Sequence, residues 1–534
     1  MTKLAAIRAS ASVLDGSAQA ADLTLTADVC VIGSGAGGAV AASVLSAAGR
    51  SVLIVEEGGY YTAEADFDMQ ERHVLPKLYQ EAMLRATADG AISILQGRAV
   101  GGTTVVNWTT SFRTPEHVVD HWKRQHHVGG LAYADLVPHY EAIESRLGIH
   151  RVPEEEMNAN NRRLFEGCKA KGWKAETLRR NVYRCQQTGM CGQGCPVNAK
   201  RSMLVTLIPD AIDSGARLLF RCRVDRLVRE GAAITTAEAT LLDAEGTRPT
   251  GKRVTIRAKH FIVAGGAINS PALLLRSGLN DNQQVGRRTF IHPAIGVAGL
   301  YAEPIHAESG APQSVASHEF AHRGTDMGMF LEAAPFYPVT GAIITPGFGA
   351  DHAAAMKKHA HRTSHVAILI DGFHEGDDGG VVKLRPSGAP VLDYPLTSRL
   401  WEAIRFGHKQ LAEINFAAGA KSVLTVHDPP IEIQTPQQIG TLLDGASWRA
   451  QTVPIFTAHQ MGGCAMGDDA KTSVVRSADL RHHELQNLYV MDGSVFPTSL
   501  GVNPQESIYG LVRLMATRLA DAKPAAGLAS TPFA

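Results

Sequence analysis

Three cysteines crowd together in a way that could do chemistry: Cys185-Gln-Gln-Thr-Gly-Met-Cys191-Gly-Gln-Gly-Cys195-Pro196, within a glycine-rich loop expected over 181–200. Thiolates at this spacing can converge on one centre, and soft sulfur ligands select zinc, copper(I) or iron–sulfur. A structural zinc site normally takes four ligands, and no histidine lies nearby in the sequence. Cysteine followed by proline is also a feature of ferredoxin cluster runs. Against these readings stand a redox disulfide and a metal-free loop, since free cysteines serve well as small packing residues. The residues alone leave all of these open.

A second group is suited to holding phosphate. Asp28-Val-Cys-Val-Ile32 is expected as a strand that ends in Gly33-Ser-Gly35-Ala-Gly-Gly38. An alanine-rich helix from about Ala39 to Ala48 follows, then a buried strand, Ser51-Val-Leu-Ile-Val55, closing with Glu56. In such a unit Gly33 permits the tight turn, Gly35 lets the backbone approach a pyrophosphate, and Gly38 lets the helix pack on the sheet. The helix N-terminus offers free N–H groups and partial positive charge to the phosphates. Glu56 is placed to hydrogen-bond a ribose hydroxyl. This fingerprint fits FAD or NAD equally.

The elements that must position these residues belong to a large chain. Its 534 residues exceed one ordinary domain. With 45% hydrophobic and 19% charged residues it is built for substantial cores. Lys+Arg and Asp+Glu both number 52, which removes any electrostatic case for nucleic acid or an anionic membrane surface. Seven cysteines are too few for a disulfide scaffold. Ala18-Gln19-Ala20 has the small residues of a cleavage site, but the apolar stretch before it, Leu4 to Ile7, falls short of the ~7–15 residues a signal needs. Residues 1–26 are therefore expected to be a surface extension of a cytoplasmic protein. The uncharged run Val29 to Gly49 holds five glycines and three serines, which makes it a poor membrane span.

Three later segments add detail. Gln96-Gly-Arg-Ala-Val-Gly101-Gly102-Thr103-Thr104-Val-Val-Asn107-Trp108 is a second glycine loop, suited to running beneath a flat ring system. Phe261-Ile-Val-Ala-Gly-Gly266-Ala-Ile-Asn-Ser270-Pro271 is a buried strand turning into a helix with Pro271 in its first turn. Leu488-Tyr-Val-Met-Asp492-Gly-Ser leads into Pro497-Thr-Ser-Leu-Gly501-Val-Asn503-Pro504. Together with Gly286-Arg287 and His292-Pro293, these resemble the glucose–methanol–choline family of flavin oxidoreductases from about Asp28 to Arg518, with Asn280 departing from a usual glycine.

The resemblance implies an α/β architecture: a Rossmann-like FAD-binding domain with an inserted antiparallel-sheet substrate domain. The FAD-binding part would be assembled from 27–110, 201–295 and 451–525, and the substrate part from 111–200 and 296–450. His365-Val-Ala-Ile-Leu-Ile370 and Val381-Val-Lys-Leu384 read as strands of the latter. The ADP half of FAD would sit on Gly33, Gly35, Gly38 and Glu56. Gly101, Gly102, Thr103 and Asn107 would serve the isoalloxazine, and Asp492 the ribityl chain. Some members attach FAD through a histidine near the Asn107 position. Here Val106 and Trp108 are the neighbours, so FAD is expected to be non-covalent.

By the same resemblance, His459 in Thr457-Ala-His-Gln-Met-Gly-Gly-Cys-Ala-Met-Gly, before a flexible Gly-Gly turn, would be the catalytic histidine and Asn503 its partner. Alcohol oxidation needs such a pair. A neutral imidazole can take the hydroxyl proton, and an amide can hold the oxygen so that the hydride meets the flavin correctly. The cysteine spacing is similar to that of bacterial FAD-dependent glucose dehydrogenase subunits that carry a 3Fe-4S cluster. It is also similar to a four-cysteine loop near the long-chain fatty alcohol oxidases, with Thr188 at the missing cysteine. On that reading Cys185, Cys191 and Cys195 would be iron–sulfur ligands.

The expected function is oxidation of a small-molecule alcohol, with electrons passed to an acceptor other than NAD. A cluster would favour a carrier protein as the acceptor. Oxygen-using alcohol or sterol oxidases, a flavin-retaining hydroxynitrile-lyase-like protein and a NAD-linked look-alike are the alternatives. His117 and His121 have a metal-compatible helical spacing but no third ligand, and Glu375-Gly-Asp-Asp-Gly-Gly380 is expected as a hairpin turn.

Overall fold

Strand Val52–Glu56 is buried along its whole length, and Cys30–Ile32 of strand Leu23–Ile32 likewise, as parallel strands covered on both faces must be. They lie at the heart of an eight-stranded sheet in a computed structural model that describes residues 2–522. The strand order is Val13–Asp15, Arg217–Phe220, Val52–Glu56, Leu23–Ile32, Pro249–Val263, Ala233–Leu242 and Cys222–Glu230. Leu488–Val490 runs parallel beside the C-terminal end of Pro249–Val263. Helix Ala36–Ala47 packs against helices Leu207–Asp213 and Gln505–Asp521, so the end of the chain covers the first crossover.

The second sheet has nine strands. Its main path is antiparallel: Ile431–Ile433, Ser422–Thr425, Ala294–Leu300, His365–Leu369, Met329–Ala333, Val315–Ser317 and Glu176–Thr177. Helices Ser398–Ala417 and Ala159–Ala170 back it. The period of two is plain in Met329–Ala333. Met329, Leu331 and Ala333 join the core under those helices, while Phe330 joins Ala294, Val366 and Ile368 on the opposite face. The expected architecture, a Rossmann-like unit with an antiparallel sheet, is the one adopted.

Several local expectations are corrected. Part of the expected N-terminal extension belongs to the first sheet, because Val13–Asp15 pairs with Leu218–Phe220 and Leu23–Ala27 with Val254–Ala258. Two pieces expected in the nucleotide half, Ile92–Ile94 and Ile455–Thr457, pair with each other in the second sheet. Val381–Leu384 forms a separate hairpin with Pro390–Asp393, so residues 375–380 are not a turn between paired strands. Helix Gly266–Arg276 starts early enough that Pro271 falls in its second turn. Residues 523–525, expected to close the FAD-binding segment, and Met1 lie outside the described residues. Among the described residues no helix is long and apolar enough to cross a membrane.

Candidate active site

A cavity of about 510 Å³ lies between the sheets. Strand ends of the first sheet (Ile32, Val55, Val263) and cavity-facing residues of the second (Ala294, Val366, Ile368) both line it. Gly33, Gly35, Glu56 and Asp492 line it from the first sheet, and Gly102, Thr103 and Asn107 from the second glycine loop. His459 and Asn503 stand on the same wall system. Gly38, Gly101 and the three cysteines lie outside the lining.

The glycines divide the work. Gly33 has φ +109°, and a Cβ there would sit 2.3 Å from the Ala264 carbonyl oxygen. At Gly38 a Cβ would fall 1.9 Å from the Gly33 oxygen, and at Gly37 it would fall 1.8 Å from that of Met491. Gly37 therefore makes the helix's close approach to the last strand, and Gly38 packs within the turn. Gly35 is different: its nearest neighbour would be Gly102 Cα at 3.7 Å, so its side faces open space. Gly102, at φ +56°, could not carry a Cβ without coming 2.6 Å from Gly35 Cα. The two glycine loops thus meet backbone to backbone.

Two buried carboxylates pin the ends of this frame. One oxygen of Glu56 accepts from the Ser34 N–H (3.0 Å) and hydroxyl (2.6 Å), the other from the Gly58 N–H (2.8 Å). Burial raises its pKa and these hydrogen bonds oppose the rise. Asp492 accepts from the Gly266 N–H (2.7 Å), the Ser270 hydroxyl (2.5 Å) and the Ser494 N–H (2.8 Å), tying the last strand to the start of helix Gly266–Arg276. The residues fit a flavin dinucleotide. Gly35 leaves backbone open to the cavity at a helix N-terminus. Asn107, whose Nδ2 donates to Gln505 (2.6 Å), keeps a buried Oδ1 with no partner, an acceptor left for a ring N–H.

At the other end, His459 Nε2 is 3.3 Å from Asn503 Nδ2, and its Nδ1 is 3.2 Å from Nδ1 of His292. Burial lowers the His459 pKa to about 4, so the ring is neutral through the neutral range. The expected flexible turn after His459 is fixed instead. A Cβ on Gly462 would lie 1.9 Å from the Arg288 oxygen and one on Gly463 3.1 Å from Pro271 Cγ. Asn503 stands just before helix Gln505–Asp521. Its Nδ2 also lies 3.3 Å from Glu332 Oε2, to which Gln313 Nε2 donates at 2.6 Å. Glu332 and the His292 ring had no sequence signal as site residues. One is an acid in an apolar strand, and the other stands in what reads only as a turn.

The cysteine loop does not present a ligand set. Among the described residues no three His, Cys, Asp or Glu side chains converge to hold a metal. Cys191 is buried and accepts from Arg180 Nη2 (3.5 Å), Cys195 accepts from the Lys200 N–H (3.5 Å), and Cys185 is half-exposed. Each of the two inner thiols has its own partner, and Cys185 and Cys195 both act electrostatically on Cys191. Burial raises the Cys191 pKa, against the pull of Arg180 and Lys200. Buried Lys200 donates to the carbonyls of Val105, Asn107 (3.1 Å) and Cys191 (2.6 Å), clamping this loop to the second glycine loop. Desolvation brings Lys200 down to about 8.

Comparison with known proteins agrees with this geometry. Family models of GMC oxidoreductases match residues 75–294 and 378–511. An uncharacterized GMC-type oxidoreductase of Mycobacterium tuberculosis is 32% identical over 494 residues, covering 92% of this chain and 75% of that protein. A GMC-type oxidoreductase of Sinorhizobium fredii, also uncharacterized, is 30% identical over 94% of this chain and 95% of its own. A long-chain-alcohol oxidase of Arabidopsis thaliana is 29% identical over 92% of this chain and 66% of its own. Among solved structures, pyridoxine 4-oxidase from Mesorbium loti superposes with a TM-score of 0.69 at 18% identity, covering 92% of this chain and 98% of that one. A formate oxidase of Aspergillus oryzae gives 0.64 at 15% identity, over 93% and 98%. At these identities the structures show a shared fold.

Proposed function

The chain belongs to the GMC oxidoreductase family, and from that membership we propose that it oxidises an alcohol to a carbonyl compound with non-covalent FAD in the cavity. The observation that carries this reading is the pair His459 and Asn503, 3.3 Å apart, lining one cavity with the dinucleotide turn at Gly33–Gly37. FAD bound there supplies the two-electron acceptor for the carbinol hydride. Gly33, Gly35, Glu56 and Asp492 would hold its nucleotide and chain, and Gly102, Thr103 and Asn107 would flank its ring. No histidine adjoins Asn107, since Val106 and Trp108 flank it.

The protein's own work is proton handling and positioning. His459, neutral because it is buried, accepts the hydroxyl proton at Nε2. The Asn503 amide holds the substrate oxygen, and fixed geometry of this kind supplies much of a rate. Ala294, Val366, Ile368 and Phe456 give this part of the cavity apolar walls, which support an apolar primary or secondary alcohol. The relative named as a long-chain-alcohol oxidase supports the same class. The acceptor for the electrons is proposed to be oxygen or a carrier other than NAD. One observation favours a cluster as relay: among the described residues buried Arg180 and Lys200 have no carboxylate partner, so an anionic centre there would be neutralised.

The test is anaerobic. Purified protein should be yellow, and one of a panel of 1-alkanols, benzyl alcohol and a sterol should bleach it without added NAD. A colourless protein would sink the reading. Colour that no alcohol bleaches would leave the lyase-like alternative. Iron and sulfide analysis of the same sample decides the cluster.

A further inference from the structure

The hydrogen bonds around His459 cannot all be satisfied by two neutral imidazoles with the neighbouring groups in these orientations. At one end the Gly501 N–H points at His292 Nε2 (3.2 Å), and a backbone N–H can only donate. That leaves Nε2 of His292 bare and puts its hydrogen on Nδ1, which donates to His459 Nδ1 (3.2 Å). A neutral His459 must then carry its hydrogen on Nε2. There it meets Asn503 Nδ2, a second donor, at 3.3 Å. Two neutral imidazoles hold two hydrogens between them, so donors at both outer ends cannot both be accepted.

The amide can resolve this and the backbone cannot. A half-turn of the Asn503 amide exchanges Nδ2 with Oδ1. Oδ1 is buried and without a partner in the present orientation. After the half-turn it accepts from His459 Nε2–H, and it faces Glu332 Oε2, which must then carry a hydrogen to donate. In the present arrangement the Thr110 hydroxyl donates to Gln313 Oε1 (2.6 Å) and Gln313 Nε2 donates to Glu332 (2.6 Å). With Glu332 ionised the pattern reverses: Asn503 Nδ2 donates to both Glu332 and His459, His459 Nε2 is bare, and the Gly501 contact is given up.

We propose that Glu332 governs, through the Asn503 amide, whether His459 meets the alcohol with a bare or a hydrogen-bearing Nε2. Glu332 is thus a positioning residue, one step removed from the substrate, and its ionised form makes His459 competent. This rests on His459 being the proton acceptor. Burial supports the assignment by raising the Glu332 pKa to about 8, so both forms exist near neutral pH. Two other buried acids near this network titrate in the same range: Asp371, which accepts from the His292 N–H and is raised to about 7, and Glu506, three residues after Asn503 and raised to about 8. Variants of Glu332 therefore assign the pH break. The imidazoles on Glu332's own face are His459, His292 and His318, while His365, paired with Ala333, points to the opposite face, and burial lowers all four. His408 and Cys168, on the backing helices, pack behind the opposite face of the sheet, where burial holds the imidazole neutral and keeps the thiol protonated.

The experiment is rapid-mixing anaerobic flavin reduction from pH 6 to 10, using the fastest-bleaching alcohol of the panel. The wild-type limiting rate should rise about tenfold per pH unit up to a break near 8. Glu332→Gln, which cannot titrate, should lose that break with FAD still bound, and Glu332→Asp should keep one. A flat wild-type profile overturns the proposal even if the variants fail to fold, and so does an unchanged break in Glu332→Gln. Failure of the underlying reading looks different: His459→Ala would then reduce at the wild-type rate at every pH.

Discussion

At the scale of the residue, the proposed mechanism concentrates on one imidazole. His459→Ala removes the proposed proton acceptor from a fixed backbone, because Gly462 and Gly463 hold that turn by contact rather than through the ring. Flavin reduction by alcohol should fall at least ~100-fold, the lower end of general-base effects. The flavin absorbance per protein should stay near the wild-type value, since the nucleotide turn is untouched. The two readouts together separate a lost base from a lost cofactor. What the sequence revealed here was uneven. His459 and Asn503 were picked from 22 histidines and many asparagines because their segments resemble those of the flavin family, not because spacing alone marks them. His292, 167 residues from His459, and Glu332, 171 from Asn503, join them only through sheet pairing. A buried acid between Leu331 and Ala333 has no local pattern that distinguishes it from a strand error.

At the scale of the element, the contact between the two glycine loops sets the cofactor-side geometry. Gly102→Ala places a methyl group 2.6 Å from Gly35 Cα at a left-handed φ of +56°, so one loop must move. The expected outcome is lower FAD occupancy, read as the ratio of flavin to protein absorbance, with the far-ultraviolet dichroism of the fold retained. Full occupancy would show that the loops yield easily. The Rossmann strands and helix were legible because apolar runs, a glycine turn and an acid follow one another within a single crossover. The short strands Val13–Asp15 and Ile92–Ile94 were not. Three residues carry too little periodicity, and their pairing partners, Leu218–Phe220 and Ile455–Thr457, lie far along the chain. The cysteine spacing left metal, cluster, disulfide and metal-free loop open, and the fold adds that Arg180 and the Lys200 N–H contact Cys191 and Cys195.

At the scale of the whole molecule, buried titratable groups shape the response to pH. Burial lowers His365, His427, His459 and His482 to about 4 and His126 and His408 to about 3. Unfolded, each takes a proton near ~6.5, so stability is lost as pH falls below that value. Glu332, Glu506 and Asp371 are raised by burial, and they lose ionisation available to them when unfolded, so their effect is a loss as pH rises from ~4. Each unmatched proton changes stability by about 1.4 kcal/mol per pH unit. The lowered histidines, His292 and His318 among them, outnumber the raised acids below pH 6.5, and above it the acids' loss dominates until Lys200, lowered to about 8, opposes it. The unfolding midpoint of FAD-loaded protein should therefore peak near pH 6.5. A midpoint that climbs steadily to pH 8.5 would contradict this balance.

The parallel strand Leu488–Val490, laid beside Pro249–Val263 at the floor of the cavity, also constrains how the protein is made. A ribosome delivers the dinucleotide turn and strand Pro249–Val263 long before strand Leu488–Val490. Between the two, one edge of Phe261, Ile262 and Val263 is paired with Cys30–Ile32 while the other awaits its partner. The floor of the cavity is complete only once that strand is in place, and the interval before it is the stage at which a chaperone would matter most.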